Sequence, residues 1–79
     1  IFYNPETINI STGTTVEWVN EDAAMHTATS GIPASGADGV FDSGILNLGD
    51  TYQFTFADVG NYDYYCILHP WMIGTVNVE

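Results

Sequence analysis

The chain has 79 residues with ten Asp or Glu and no Lys or Arg, which gives a formal charge of −10 at pH 7. This length fits one small domain, residues 1–79, and excludes a two-domain enzyme or a repeat array. Without cationic side chains the chain cannot neutralise phosphates, so the composition excludes nucleic-acid binding, and an anionic membrane surface would repel the chain.

The strong acidity has two interpretations. A solvated acidic surface keeps molecules apart in solution, and we then expect a monomer. Alternatively, the carboxylates attract a partner protein with a basic surface, or they reflect salty or acidic surroundings.

A domain of this size is marginally stable unless a disulfide, a metal or another subunit supports it. The chain has a single cysteine, Cys66, and one cysteine cannot form a disulfide within a chain. The remaining sources of extra stability are a bound metal and oligomerisation.

Apolar and polar residues alternate along most of the chain, and this period of two is typical of β-strands with one buried face. The alternation predicts five strands, with these apolar residues on one face: Ile8 and Ile10; Val16 and Trp18; Tyr52, Phe54 and Phe56; Tyr62, Tyr64 and Cys66; Val76 and Val78. We expect a further strand around Phe41. Turn-forming residues separate some of them, at 11–13, 49–50 and 58–61. Several short strands at this spacing predict an all-β sandwich or barrel.

Residues 30–40 interrupt this pattern. They are rich in Gly, Ala, Ser and Pro, and we expect a loop there. Because the segment lies between His26 and the strand around Phe41, this loop would border whatever His26 binds.

The residues with metal-binding chemistry are few and closely spaced. Cys66, His69 and Met72 are separated by two residues each at the end of a predicted strand, and His26 is the other histidine of the chain. Two imidazoles, one thiolate and a distant thioether are the ligands of a blue-copper electron-transfer site. Singly, each residue has an ordinary structural role, such as a buried cysteine or a core methionine. Their combination favours a copper site.

The predicted strand pattern also brings these ligands together. Cys66 shares the inward face of its strand, so its sulfur would point into the end of the core. Pro70 and Gly74 let the loop fold back, which brings His69 and Met72 round the same point. His26 must then come from a neighbouring strand, and a metal bound at this site would join two segments that are distant in the chain.

Met25 precedes His26 and offers a second thioether as an axial ligand. Adjacent residues on an extended chain point in opposite directions, so Met25 and His26 are poorly placed to face the same ion. We therefore favour Met72.

Three stretches of the chain resemble the cupredoxins, the small type 1 copper proteins, and in particular their amicyanin and plastocyanin branch. The stretches are residues 15–20 (TVEWVN) running on to His26, residues 48–56 (LGDTYQFTF) and residues 60–72 (GNYDYYCILHPWM). The last is the most specific, because its two-residue gaps look like the amicyanin ligand loop.

The resemblance implies a Greek-key β-sandwich with a short C-terminal metal-ligand loop. The residues that it implies as ligands of one type 1 copper ion are His26, Cys66 and His69 in the equatorial plane and Met72 on the axis. The family further implies electron transfer and an extracytoplasmic location, in the periplasm or at the cell surface, with any membrane anchor outside residues 1–79.

The chain departs from the family pattern beside the ligands. Thr27 replaces the asparagine that often follows the first histidine ligand and ties two ligand loops together, and its hydroxyl can form such a bond over a shorter reach. Trp71 replaces a phenylalanine, and we interpret it as a rim aromatic that shields His69. Tyr62 stands where sandwich proteins often have a corner tyrosine with a role in folding.

We predict a one-electron carrier rather than a catalyst, because the metal uses both histidines and no general base stands out. An apolar collar around His69 would dock a redox partner protein, and the carboxylates would steer a basic docking surface toward it. The apolar collar consists of Ile67, Leu68, Pro70, Trp71 and Ile73.

Two alternatives use the same metal. If Thr27 and residues 30–40 leave copper open to solvent, a redox enzyme could act directly on a small molecule such as nitric oxide. A copper carrier or store would instead release its ion readily to chelators. Zinc fits less well, because a thioether ligand selects soft copper.

Overall fold

Seven β-strands lie within residues 2–79, the part of the chain that the computed structural model describes. They are β1 (Thr7–Ile10), β2 (Thr14–Val19), β3 (Thr29–Ile32), β4 (Gly36–Asp42), β5 (Thr51–Phe56), β6 (Gly60–Tyr65) and β7 (Ile73–Val78). Across these residues, no helix has the length and apolarity that crossing a membrane requires. The five strands predicted from the alternating pattern and the strand expected around Phe41 are confirmed, with Cys66 one residue past the end of β6, and β3 is an additional strand.

The strands form two sheets. The larger sheet has the order β1-β7-β6-β3-β4, and β2 and β5 pair as a separate antiparallel ribbon. β1 runs parallel to β7, with Ile8 opposite Val76, whereas β7, β6, β3 and β4 pair antiparallel. The predicted all-β sandwich is thereby confirmed.

Aromatic side chains fill the space between the two sheets. The centroid of the Trp18 ring on β2 lies 5.1 Å from that of Phe41 on β4 and 5.4 Å from that of Tyr64 on β6. Phe56 on β5 is 1% exposed and packs against the same cluster. The period of two in the sequence therefore reflects a core that each sheet covers with one face.

The expectation of a loop at residues 30–40 is wrong. β3 and β4 form an antiparallel hairpin there, closed by a short turn. Gly31 has a φ of +126°, and a Cβ at this position would collide with the backbone oxygen of Gly36, so glycine permits the close approach of the two strands. The Ser30 hydroxyl accepts a hydrogen bond from the backbone N–H of Phe41 at 2.9 Å. The small residues therefore serve close strand packing.

Tyr62 forms the predicted corner at the start of β6. Its hydroxyl donates a hydrogen bond to the backbone oxygen of Asp58 at 2.9 Å. This bond ties β6 to the turn that precedes it, which confirms the prediction of a corner tyrosine.

The pairing of β3 with β6 positions the predicted ligands. Thr29 on β3 lies opposite Tyr65 on β6 in an antiparallel register. Because His26 precedes β3 and Cys66 follows β6, both residues lie at the same end of the sheet.

Candidate metal centre

His26 is held in place by two backbone hydrogen bonds with Leu46. The N–H of His26 donates to the oxygen of Leu46 at 3.1 Å, and the N–H of Leu46 donates to the oxygen of His26 at 2.7 Å. Asn20 shapes the preceding loop, because its side-chain amide donates to the backbone oxygens of Ala24 at 2.9 Å and of Leu46 at 2.8 Å. The His26 imidazole is 5% exposed, so this frame fixes a buried ring.

The segment from Cys66 to Met72 is a short loop closed by its own backbone. The N–H of His69 donates to the oxygen of Cys66 at 3.1 Å, and the N–H of Met72 donates to the oxygen of His69 at 2.8 Å. The N–H of Cys66 donates to the oxygen of Met72 at 3.0 Å. The loop therefore returns to its starting point, and Met72 lies beside Cys66.

Three potential ligand atoms from these two segments converge. The Cys66 Sγ atom lies 3.8 Å from His26 Nδ1 and 3.6 Å from His69 Nδ1, and all three atoms lie within 4.8 Å of one another. For a metal about 2.0 Å from nitrogen and about 2.3 Å from sulfur, trigonal ligation separates the sulfur and nitrogen atoms by about 3.7 Å. The spacing of the donor atoms thus fits a single metal ion.

The two methionines differ in burial. Met72 is 7% exposed and belongs to the hydrophobic core, together with Cys66. Met25 is 50% exposed. The fold therefore places Met72 inside, next to Cys66, and leaves the Met25 side chain at the surface.

Thr27 connects the two ligand-bearing segments. Its backbone N–H donates to Cys66 Sγ at 3.3 Å, and its hydroxyl oxygen accepts a hydrogen bond from the N–H of Ile67 at 3.0 Å. The backbone oxygen of Thr27 accepts a hydrogen bond from the Tyr3 hydroxyl at 2.5 Å. The prediction that the Thr27 hydroxyl can bind across the two loops is confirmed.

Asp22 orients the His26 ring. Asp22 Oδ2 lies 2.9 Å from His26 Nε2, while Nδ1 of the same ring faces the Cys66 sulfur. Because a carboxylate accepts hydrogen bonds, Nε2 carries the proton and Nδ1 keeps its lone pair for a metal. The hydrogen bond with His26 lowers the pKa of Asp22 below its ordinary value. Asp22 is not evident from the sequence, because a carboxylate in a loop four residues before a histidine has no pattern that marks it as an outer partner of a metal ligand.

His69 lies nearer to the surface than His26. Its ring is half-buried, and the Trp71 ring stands edge-on to it with 5.3 Å between the ring centroids. Trp71 itself is 67% exposed, which confirms its interpretation as a rim aromatic. Ile67 and Leu68 are also exposed, so the predicted apolar collar lies at the surface around His69.

A cavity of about 320 Å³ lies beside the candidate centre. Its lining includes Tyr3, Asp22, His26 and Met72. The cavity therefore borders two of the four predicted ligands.

Comparison with known proteins establishes the family of this chain. The model of the copper-binding proteins of the plastocyanin/azurin family matches residues 1–79. The chain belongs to this family, the cupredoxins. The Greek-key sandwich that the resemblance implied is thus confirmed as the cupredoxin fold.

Individual relatives support the assignment. This cupredoxin is 36% identical over 78 residues to an amicyanin of Paracoccus versutus, covering 99% of the chain and 58% of the relative. It is 32% identical over 82 residues to a plastocyanin of Prochlorothrix hollandica, covering 98% of the chain and 63% of the relative. A solved structure of a purple cupredoxin from Nitrosopumilus maritimus superimposes with a TM-score of 0.92 at 40% identity, covering 99% of the chain and 82% of that protein. The chain spans 58–64% of the length of the curated relatives it matches.

The donor set of this cupredoxin suits the metal of its family. A thiol and two imidazoles with converging atoms, and a buried thioether next to them, are soft and borderline ligands that select copper. The cofactor of the chain is one copper ion.

Proposed function

We propose that residues 1–79 form a single copper domain that carries one electron at a time between partner molecules. The proposed ligands are His26, Cys66 and His69 in the equatorial plane, with Met72 as a weak axial ligand. Copper supplies the electron step by alternating between Cu(I) and Cu(II). The observation that carries the proposal is the convergence of one sulfur and two Nδ1 atoms within 4.8 Å.

Burial supports Met72 as the axial ligand. A thioether at long distance tunes the reduction potential without holding the ion, and this role needs a side chain in the core beside the thiolate. Met72 meets the requirement, whereas Met25 is 50% exposed.

A carrier works best when its ligands move little between oxidation states, and hydrogen bonds that fix the ligands serve this purpose. Leu46 and Asp22 hold the backbone and the ring of His26. Thr27 holds the Cys66 sulfur from the opposite segment. The side chains of His26 and Cys66 are therefore restrained from outside the ligand set.

We further propose that electrons leave through His69. Its ring is the half-buried one of the two, and the apolar collar surrounds it with Ile67, Leu68, Trp71 and Ile73, which are 43–67% exposed. Such a surface suits brief docking of a redox partner protein. The charge of −10 favours a partner with a basic surface, and mutual repulsion between copies of the chain favours a monomer. The cupredoxin resemblance supports an extracytoplasmic location.

Adding Cu(II) to the metal-free protein tests the ligand set. We expect an intense blue-to-purple absorption from thiolate-to-copper charge transfer, and we expect Cys66→Ala to abolish it. Met72→Leu should change the colour, because it removes the axial thioether, while the matched variant Met25→Leu should not. A colourless complex of the unmodified protein would contradict the proposal, and an effect of Met25→Leu alone would reassign the axial ligand.

Small redox probes of opposite charge test the docking electrostatics. The reduced protein should transfer electrons faster to a cationic metal complex than to an anionic complex of similar size and potential. The rate with the cationic probe should fall as salt is added, because ions screen the carboxylates. A faster reaction with the anionic probe would argue against a basic partner.

A second candidate function is a redox enzyme for a small molecule, and the cavity beside His26 and Met72 favours it. A ligand that reached the metal through this cavity would alter the visible spectrum. Adding azide or nitric oxide to the copper-loaded protein separates the two functions. An unchanged spectrum supports the carrier, whereas a changed spectrum with turnover of the added molecule supports the enzyme.

A further inference from the structure

A row of buried hydroxyl groups leads away from the metal centre along β3. Thr27 Oγ1, which accepts the hydrogen bond of the Ile67 N–H at 3.0 Å, lies 2.9 Å from Thr29 Oγ1. Thr29 Oγ1 in turn lies 3.0 Å from Asp42 Oδ1 on β4. Thr27 and Thr29 are 4% and 0% exposed, while Asp42 lies at the surface.

The carboxylate fixes the direction of these hydrogen bonds. A carboxylate accepts hydrogen bonds, so the Thr29 hydroxyl donates its one proton to Asp42. The Thr27 hydroxyl must then donate to Thr29, which leaves its lone pairs free to accept from Ile67. Each group in the row thus donates toward Asp42, starting from the Ile67 N–H of the ligand loop. Hydrogen bonds aligned in this way strengthen one another in surroundings of low polarity.

The same threonine contacts the proposed copper thiolate. The backbone N–H of Thr27 donates to Cys66 Sγ, so Thr27 touches the ligand loop at both its hydroxyl and its N–H. We propose that Asp42 is a positioning residue for the metal centre, which sets the Thr27–Cys66 contact through the hydroxyls of Thr29 and Thr27. The inference rests on the proposed function, since Cys66 is a copper ligand in that proposal.

The expected effect on copper follows from the charge of the sulfur. An N–H group that points at a thiolate stabilises the more electron-rich, reduced state of the centre, and hydrogen bonds to this sulfur tune the potential. Loss of Asp42 would loosen Thr27 and weaken the N–H···S bond. The reduction potential should then fall.

Asp38 provides a matched control within the same hairpin. Its Oδ1 accepts a hydrogen bond at 2.5 Å from the hydroxyl of Ser30, the residue that follows Thr29 on β3. The other hydrogen bonds of the Ser30 hydroxyl are with the backbone of Phe41 on β4, not with the ligand loop. Asp38→Ala and Asp42→Ala therefore each remove one charge and one hydroxyl–carboxylate bond between β3 and β4, but only the second interrupts the row to the ligand loop.

The experiment compares Asp42→Ala, Asp42→Asn and Asp38→Ala with the unmodified protein in two states. In the metal-free protein, amide hydrogen exchange at Ile67 should be roughly fivefold faster with Asp42→Ala, because its acceptor is no longer held. In the copper-loaded protein, Asp42→Ala should lower the reduction potential and shift the thiolate-to-copper absorption band. Asp42→Asn should restore both readings toward those of the unmodified protein, since its amide oxygen still accepts. Asp38→Ala should change neither reading.

Equal effects of Asp42→Ala and Asp38→Ala, or no effect of Asp42→Ala, would overturn the inference. If Asp42→Ala does not fold, Thr29→Val is used instead, because this variant removes the middle hydroxyl of the row and keeps the side-chain volume. An unchanged Ile67 exchange rate in Thr29→Val would equally overturn the inference. The metal-free measurement separates this inference from the proposed function. The unmodified protein could give no coloured copper complex while Asp42→Ala still shows the faster Ile67 exchange. That result would refute the copper proposal and support the hydroxyl row.

Discussion

The backbone N–H of Thr27 donates a hydrogen bond to the sulfur of Cys66 at 3.3 Å, although 39 positions separate the two residues in the chain. The sulfur is fully buried and out of reach of water, so this N–H supplies the hydrogen bond that water would give to an exposed sulfur. Because Thr27 adjoins His26, the same bond brings two of the proposed ligands together. Hydrogen bonds of the protein itself therefore connect the two ligand-bearing segments.

Copper should nevertheless raise the free energy of unfolding, because its ligands join segments 40 positions apart. At a free copper concentration 1,000-fold above the dissociation constant, the expected gain is about 4 kcal/mol. Urea unfolding of the metal-free and the copper-loaded protein measures it. Cys66→Ala should lose most of the gain, and an equal gain in this variant would mean that copper binds elsewhere.

Gly74→Ala should destabilise the protein by about 1–3 kcal/mol, because a Cβ at this position would overlap the Tyr64 ring. Tyr64 packs edge-on against Trp18, so its displacement would disturb the centre of the core. Gly60→Ala is the matched control on the neighbouring strand, since its Cβ would lie 3.4 Å from the nearest atom of Tyr62. Denaturant unfolding of both variants checks the prediction, and similar losses for the two would contradict it.

Tyr62→Phe should lower the free energy of unfolding by about 1 kcal/mol, the net contribution of one hydrogen bond. The variant removes the bond to the Asp58 oxygen and keeps the ring against Phe56. Thermal unfolding measures the loss. The visible spectrum of the copper-loaded variant should stay unchanged, and a shifted spectrum would show that the corner also affects the ligands.

Alkaline pH should reduce stability through Tyr3. Burial raises the pKa of the Tyr3 hydroxyl above its ordinary value, so the folded protein favours the neutral phenol. An unfolded tyrosine ionises near a pKa of about 10. The contribution of Tyr3 is therefore fully present below about pH 10 and is lost as the pH rises above it. Urea unfolding between pH 8 and about 11 should show a steeper loss for the unmodified protein than for Tyr3→Phe; parallel curves would exclude this origin.

Much of the fold and of the candidate centre can be predicted from local patterns. The alternation in β5 from Tyr52 to Phe56 places apolar side chains on one face wherever the strand pairs, so the strand follows from the sequence alone. The candidate ligands can be predicted because residues with metal-binding chemistry are few: a chain with one cysteine and two histidines offers few ways to build a copper site.

Features that depend on contacts between strands escape such patterns. The β3–β4 hairpin is built on Gly31, whose small size matters because Gly36 approaches it from the other strand, and the composition of the segment resembles that of a loop. Asp22 and Asn20 likewise look like ordinary polar loop residues. Their roles appear once His26 and Leu46 are paired, since the loop then turns both side chains toward the site.

The first strand has a consequence for how the molecule could self-associate. β1 contains four residues and covers the outer edge of β7 in the larger sheet. Proteolytic removal of this strand would uncover a row of unpaired backbone N–H and C=O groups on β7, and such an edge readily recruits a strand from another chain. Clipping before Ser11 would thus replace the four-residue edge strand β1 with the six-residue edge of β7, which is a longer template for strand-exchanged dimers or fibrils.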